Sequence, residues 1–122
     1  MSLLLPLETF PSFAAKESTA APDRLLEGAP EYKTWELDCA QAGAAGWNQI
    51  RTGVWETTPG KTISMKVETF EFCHILSGVC EIAEEGGASH VFRAGDSFVM
   101  KPGFVGTWTT LETLRKIFVI AS

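Results

Sequence analysis

The sequence predicts an all-β domain, a barrel or sandwich of short antiparallel strands, and three observations carry that expectation. From Trp47 onward, runs rich in β-branched and aromatic residues recur between Gly and Pro punctuation. The turns between them are explicit: Pro59-Gly60, Gly86-Gly87, Gly95-Asp96 and Pro102-Gly103 each supply a fixed φ or tolerate a positive one. The length of 122 residues, 45% hydrophobic and 20% charged, suits one buried core and is short for two domains.

Taken in chain order, residues 1–33 hold Pro6, Pro11, Pro22 and Pro30 among short apolar patches, which predicts an irregular or extended arm. Leu3 to Leu7 and Phe10 to Phe13 are apolar enough to dock on something. Residues 34–45, TWELDCAQAGAA, have the composition for one or two helical turns, although the apolar spacing is poor and Gly43 weakens a helix. A single barrel domain is expected over 34–122. Its strands are expected near 48–56, 61–67, 70–77, 79–84, 89–93, 97–101, 105–110 and 114–120. No internal repeat or low-complexity tract interrupts the pattern.

Charge and cysteine usage narrow the function classes. Ten basic residues against 15 acidic give a net charge of −5, with no Lys/Arg cluster alternating with aromatics, which speaks against nucleic acid and anionic membranes as partners. Leu3, Leu4 and Leu5 form the only apolar run near the start, without a basic flank, and no run of apolar residues is long enough to span a bilayer as a helix. Cys39, Cys73 and Cys80 are odd in number and lack C-x-x-C spacing, which suits reduced thiols. A cytoplasmic location is the expectation.

Two segments carry the chemistry. In GKTISMKVETFEFCHILSG, Gly60 is followed at the sixth position by Lys66, then by Glu68, Glu71 and Gly78; in GDSFVMKPGFVGTW, Gly95 is followed by Lys101, Gly103 and Gly106. The frame resembles the cupin signatures G-x5-H-x-H-x3,4-E-x6-G and G-x5-P-x-G-x2-H. With GVWETTPGK at 53–61, EFCHILSG at 71–78, AGDSFVMKPGFVGTW at 94–108 and RKIFVI at 115–120, the chain is similar to the small single-domain cupins grouped with the cupin domain of (S)-ureidoglycine aminohydrolase. The resemblance implies a double-stranded β-helix, or jelly-roll barrel, over roughly residues 46–120, and an N-terminal arm that crosses to a partner subunit. The aminohydrolase is a two-cupin manganese enzyme. Here Lys66, Glu68 and Gly106 stand where the histidine ligands would be and only the carboxylate of Glu71 remains, so neither metal nor reaction carries over.

Strand alternation sorts the candidate residues. If Glu71 points into the barrel, Cys73, Ile75 and Ser77 share its face while Phe72, His74 and Leu76 face away. Cys73 and His74 therefore cannot form a dyad, and Cys73 reads either as a small buried hydrophobe or as part of the cavity wall. His74 and His90, the two histidines of the chain, read as partly exposed sheet residues without metal-ligand spacing. The same alternation turns Gly106, Trp108 and Thr110 inward, with glycine at 106 expected to leave room. Trp55 and Trp108 would then be core or offer ring faces to a flat ligand. The resembling family carries an Arg-Lys pair at 115–116; Lys116 either turns inward beside Glu71 or reaches to the barrel rim.

Three functions fit these residues. A metal-independent small-molecule-binding cupin would hold its ligand in the barrel with Trp55, Glu71, Cys73, Trp108 and Lys116, without a cofactor. A metal-free isomerase, epimerase or hydrolase would use Glu71 for proton transfer. An interaction module would use the outer sheet. A homodimer is expected, because an incompletely closed barrel has edges to cover and the apolar arm is too small to fold alone.

Overall fold

The computed structural model describes residues 3–41 and 46–122. It is all-β: nine strands and, among the described residues, no helix. They are β1 (Lys16–Thr19), β2 (Leu25–Gly28), β3 (Glu31–Ala40), β4 (Ile50–Thr57), β5 (Gly60–Met65), β6 (Phe70–Glu84), β7 (Ser89–Arg93), β8 (Ser97–Met100) and β9 (Val105–Ala121).

Two long strands organise the sheet. β9 pairs with β4 through its second half and with β5 through its first, while its other edge pairs with β6 from Phe70↔Ala121 to Glu84↔Gly106. β6 in turn carries β8 on its first half and β7 on its second. Both strands bend in the middle, so the sheet curls around an interior. On β6 the bend falls at Gly78, with φ +89°, where a Cβ would run into the Thr113 carbonyl and the Leu114 backbone. The closing glycine of the first motif is therefore required by close approach of the two strands. Each was expected as two strands, and each is one, because backbone pairing continues through the bend.

Alternation holds on both sides of the exposed corner Leu111–Thr113: Gly106, Trp108 and Thr110, then Leu114, Lys116 and Phe118, are the buried residues of β9. Glu71, Cys73, Ile75, Cys80 and Ile82 are their counterparts on β6. The apolar core joins Cys73, Ile75, Cys80, Ile82, Met100, Trp108 and Leu114.

The N-terminal third differs from expectation in its strands, since β1 and β2 lie within the expected arm and β3 replaces the expected helical turn. Residues 34–40 belong to strand β3, paired with β1 and β4, and not to a helical turn; the rest of the helical reading, 42–45, lies outside the described residues. In Glu31-Tyr32-Lys33-Thr34 exposed and half-buried residues alternate, which is a strand's period. β1 and β2 are exposed throughout and attach to β3 and β5 by backbone pairing. The segment before β1 lies against its own barrel: Trp35 Nε1 donates to the Phe13 carbonyl at 3.1 Å and Arg115 to the Thr9 carbonyl at 2.9 Å. No helix of the described residues is long and apolar enough to cross a membrane.

Candidate functional site

The site begins where β5 ends. Lys66 opens a tight turn in which its amide donates to the Phe104 carbonyl at 2.9 Å and its carbonyl accepts from the Thr69 amide and hydroxyl at 2.8 and 2.7 Å. The Val67 carbonyl accepts from the Gly103 amide at 2.8 Å, and Val67 itself has φ +53°. A β-branched residue in the left-handed region is strained, and strain of this kind persists where surrounding contacts over-determine the backbone. The turn sends the Lys66 side chain back into the barrel, where Nζ lies 2.6 Å from Glu71 Oε1.

Glu71 and Lys116 approach from neighbouring strands. Lys116 Nζ donates to Glu71 Oε2 at 2.6 Å and to Cys73 Sγ at 3.4 Å, and the Cys73 thiol donates to Glu71 Oε2 at 3.3 Å. The ammonium also stands 4.5 Å from the ring centroids of both Trp55 and Trp108, a cation–π seat. Lys116 thus lies inward and not at the rim. Glu71 and Lys116 are 4% and 5% exposed, so their charges are compensated almost wholly by each other and by the side chains just named.

Burial alone would raise the pKa of Glu71, but the ammonium groups of Lys116 and Lys66 outweigh it and hold the carboxyl down at about 2. For Lys116 burial works toward neutrality, while the Cys73 sulfur and the Glu71 carboxylate raise its pKa and keep it charged. Burial pushes the Cys73 thiol up to about 12, against the opposing pull of Lys116, so at neutral pH it is a thiol and not a nucleophile.

Above this cluster opens a cavity of about 290 Å³ lined by Trp55, Lys66, Glu71, Trp108 and Lys116, with Arg51 as a further cation and Thr34, Thr62 and Ser64 as hydroxyl donors or acceptors. Tyr32, Ile63, Met100, Phe118 and Ile120 supply the rest of the wall. Trp55, Glu71, Trp108 and Lys116 therefore converge on one cavity. Cys73 does not line it: fully buried, it supports the Glu71–Lys116 pair from behind.

Gly106 does not leave the room expected of it, because a Cβ there would run into the Ala83 carbonyl and the Phe104 ring; the glycine is required by close strand approach. Nor are the tryptophans open platforms. One seat above each ring is held by Lys116, Trp55 meets Trp108 edge-on at 5.6 Å, and Trp108 Nε1 donates to Thr110 Oγ1 at 3.0 Å. His74 bonds Ser97 through Nδ1 at 2.7 Å, outside the cavity, and the exposed His90 borders a separate apolar hollow with Phe92 and Phe98.

Sequence reasoning passed over Tyr32, Thr34 and Lys66. The first two were hidden by treating residue 34 as a boundary inside a period-two run. Lys66 was read as an absent histidine, although a motif position that faces the barrel interior keeps facing it whatever residue it holds.

Whether this donor set fits a metal ion follows from its chemistry. Both oxygens of the one carboxylate are engaged by ammonium groups, and a divalent ion at that point would meet Lys66 and Lys116 at contact distance. Among the described residues no group of three or more His, Cys, Asp or Glu side chains comes together to hold a metal. The site does not fit the metal that the cupin signature implies.

Residues 45–118 match the family model of the EutQ-like cupin domain. No curated protein matches the sequence significantly. Among solved structures, a protein of unknown function from Pseudomonas syringae pv. tomato superposes with a TM-score of 0.76 at 23% identity, covering 93% of this chain and 46% of its own. The chain thus spans about half the length of that relative. A putative ethanolamine utilization protein Q from Salmonella typhimurium gives a TM-score of 0.60 at 18% identity, covering 74% of this chain and 68% of its own. Ectoine synthase from P. lautus gives 0.64 at 12% identity, covering 84% and 67%. Likenesses at these identities establish the fold alone.

Proposed function

The chain belongs to the EutQ-like cupin domain family, and from that premise we propose that it is a metal-independent small-molecule-binding cupin whose ligand enters the barrel beside Lys66, Glu71 and Lys116. The observation that carries this reading is that Lys66 stands at a histidine position of the cupin signature and that its ammonium and that of Lys116 each lie 2.6 Å from Glu71. The positive charge at the bottom of the barrel is kept while its carrier changes. An apolar wall with a few convergent polar groups is the usual make-up of a ligand site.

Acid–base catalysis by Glu71 is less well supported. A carboxyl held at about 2 by two ammonium groups is a poor base near neutral pH, where general bases work best with a pKa close to the ambient value. The resemblance to the (S)-ureidoglycine aminohydrolase cupin domain supplies a frame without its metal ligands, so that reaction is not proposed. A homodimer in the cytoplasm remains our reading of the whole protein. Free thiols at Cys39, Cys73 and Cys80 agree with the compartment, and the exposure of Leu3, Leu5 and Leu7 agrees with a second copy.

The test is a tryptophan-fluorescence screen of a mixed-charge metabolite panel, run before and after chelator treatment. Binding should survive the chelator and disappear in Ser64→Phe, which fills the cavity while replacing none of its charged residues. Binding that depends on an added metal ion, or that is unchanged in Ser64→Phe, would remove this reading.

A further inference from the structure

Resting on that cavity reading, we infer that the ligand is a small organic monocarboxylate with an apolar body, and that Glu71 is a positioning residue for the lysines that receive it. The inference comes from which hydrogen-bonding capacity in the cavity is in use and which is left.

Glu71, the one acidic side chain of the lining, has its charge taken up by two cations: Oε2 takes both the Lys116 ammonium and the Cys73 thiol, and Oε1 takes the Lys66 ammonium with one lone pair to spare. A ligand that offers donors, such as an amine or a polyol, finds no uncompensated carboxylate here. Lys116 is closed, since Glu71, Cys73 and the two tryptophan rings take up its surroundings. Lys66 differs. Among the described residues its Nζ makes the single bond to Glu71, which leaves two of the three ammonium N–H groups directed elsewhere, and it belongs to the cavity lining with a side chain 16% exposed.

The remaining polar groups of the wall add to the same bias. Ser64 already donates to Met100 Sδ at 4.0 Å and Thr62 is bonded to the Tyr32 side chain, so Arg51 carries most of it, a further cation tied to Glu36 at 2.9 Å on its exposed side. With Arg51 and Glu36 cancelling, the cluster of Lys66, Glu71 and Lys116 keeps one surplus positive charge. One surplus charge matches a monoanion better than a phosphate dianion. The apolar wall of Ile63, Met100, Phe118 and Ile120 faces the rest of the ligand, and about 290 Å³ is at the small end of ligand pockets. Glu71 holds Lys66 in place for the incoming carboxylate and keeps two like charges from separating, so it acts on the ligand only through the lysines.

Benzoate, benzamide, benzylamine and phenyl phosphate test this, being alike in body and different in head group. Titrated against the purified full chain with tryptophan fluorescence as readout, benzoate should bind at least tenfold more tightly than each of the others. Lys66→Met should lower benzoate affinity at least tenfold and so erase the preference for benzoate over benzamide, with a circular-dichroism spectrum like the parent's showing that the barrel is intact. Lys66→Arg should keep the preference for benzoate. Benzamide or benzylamine binding as tightly as benzoate would overturn the carboxylate assignment and leave the cavity reading standing. Phenyl phosphate binding more tightly would overturn the monoanion. Failure of all four to bind would remove both this inference and the reading beneath it.

Discussion

Arg115 and Lys116 are consecutive residues on β9, they face opposite sides of one sheet, and they are accommodated by almost the same set of groups. Outside, the Arg115 guanidinium lies 4.5 Å from the Phe10 ring and 4.6 Å from the Trp35 ring and reaches Glu56 at 3.0 Å. Inside, the Lys116 ammonium lies 4.5 Å from each of Trp55 and Trp108 and reaches Glu71 at 2.6 Å. What separates them is water. The side chains of Arg115 and Glu56 are 14% and 26% exposed, those of Lys116 and Glu71 7% and 5%. The outer pair tethers the N-terminal segment and either partner can be hydrated if the other leaves. The inner pair has no such alternative, so losing one member strands the other.

The comparison breaks most decisively at Glu71. Glu71→Gln leaves the buried Lys116 ammonium and the half-buried Lys66 ammonium facing one neutral amide and should destabilise the fold by about 4 kcal/mol, read from urea unfolding at neutral pH. Lys116→Met leaves Glu71 one of its two cations and should cost about 3 kcal/mol. A variant that melts like the parent would mean that the inner pair is no more consequential than the outer one.

Acid reaches the same carboxyl without mutation. Its folded pKa, about 2, lies below the ordinary value of 4.5, so its contribution is fully present above pH 4.5 and is lost as pH falls toward 2. The loss, roughly 3 kcal/mol from the size of that shift, should flatten in Glu71→Gln when unfolding free energy is followed through this window. On the outer face, Arg115→Met should cost only about 1 kcal/mol. It should instead speed proteolysis before Lys16 while leaving cavity binding intact. The smallest effect belongs to the turn that aims Lys66: Val67→Asn, which tolerates a positive φ, should raise stability by up to about 1 kcal/mol, and a loss would show that the Val67 side chain has a use beyond enduring strain.

Much of this was legible before any coordinates. Period-two alternation brought Glu71 and Trp108 to one face because sheet geometry allows few alternatives, while for Lys116 the interior and the rim both stayed open; the Gly/Pro turns marked the ends of strands from Ile50 onward, although β6 and β9 were each divided in two. Strand alternation is silent about what stands behind a face, so Cys73 could not be told from a wall residue. β1 and β2 left no trace because strands exposed on both faces need no apolar period. Gly106 misled for a related reason: a missing side chain suggests space, whereas a strand carbonyl had already taken it. Lys66 was the costliest omission, since a signature defined by its histidines says nothing about a cation that replaces them.

The adjacency of Arg115 and Lys116 has a bearing on how the chain reaches its fold. Sliding β9 by one residue against its neighbours would exchange the two cations between inside and outside at no change in charge. The alternatives are told apart by shape: the inner seat, framed by two tryptophan rings, a thiol and a carboxylate, suits a compact ammonium and not a broad planar guanidinium. Because β9 is paired on both edges, with β4 and β5 on one side and β6 on the other, a misaligned strand would have to detach from three neighbours to correct itself. On that reasoning we expect the buried pair to serve as an alignment mark during assembly. Stopped-flow refolding of Lys116→Met should show an added slow phase that the parent lacks, and kinetics with a single phase in both would leave alignment to the apolar residues of β9.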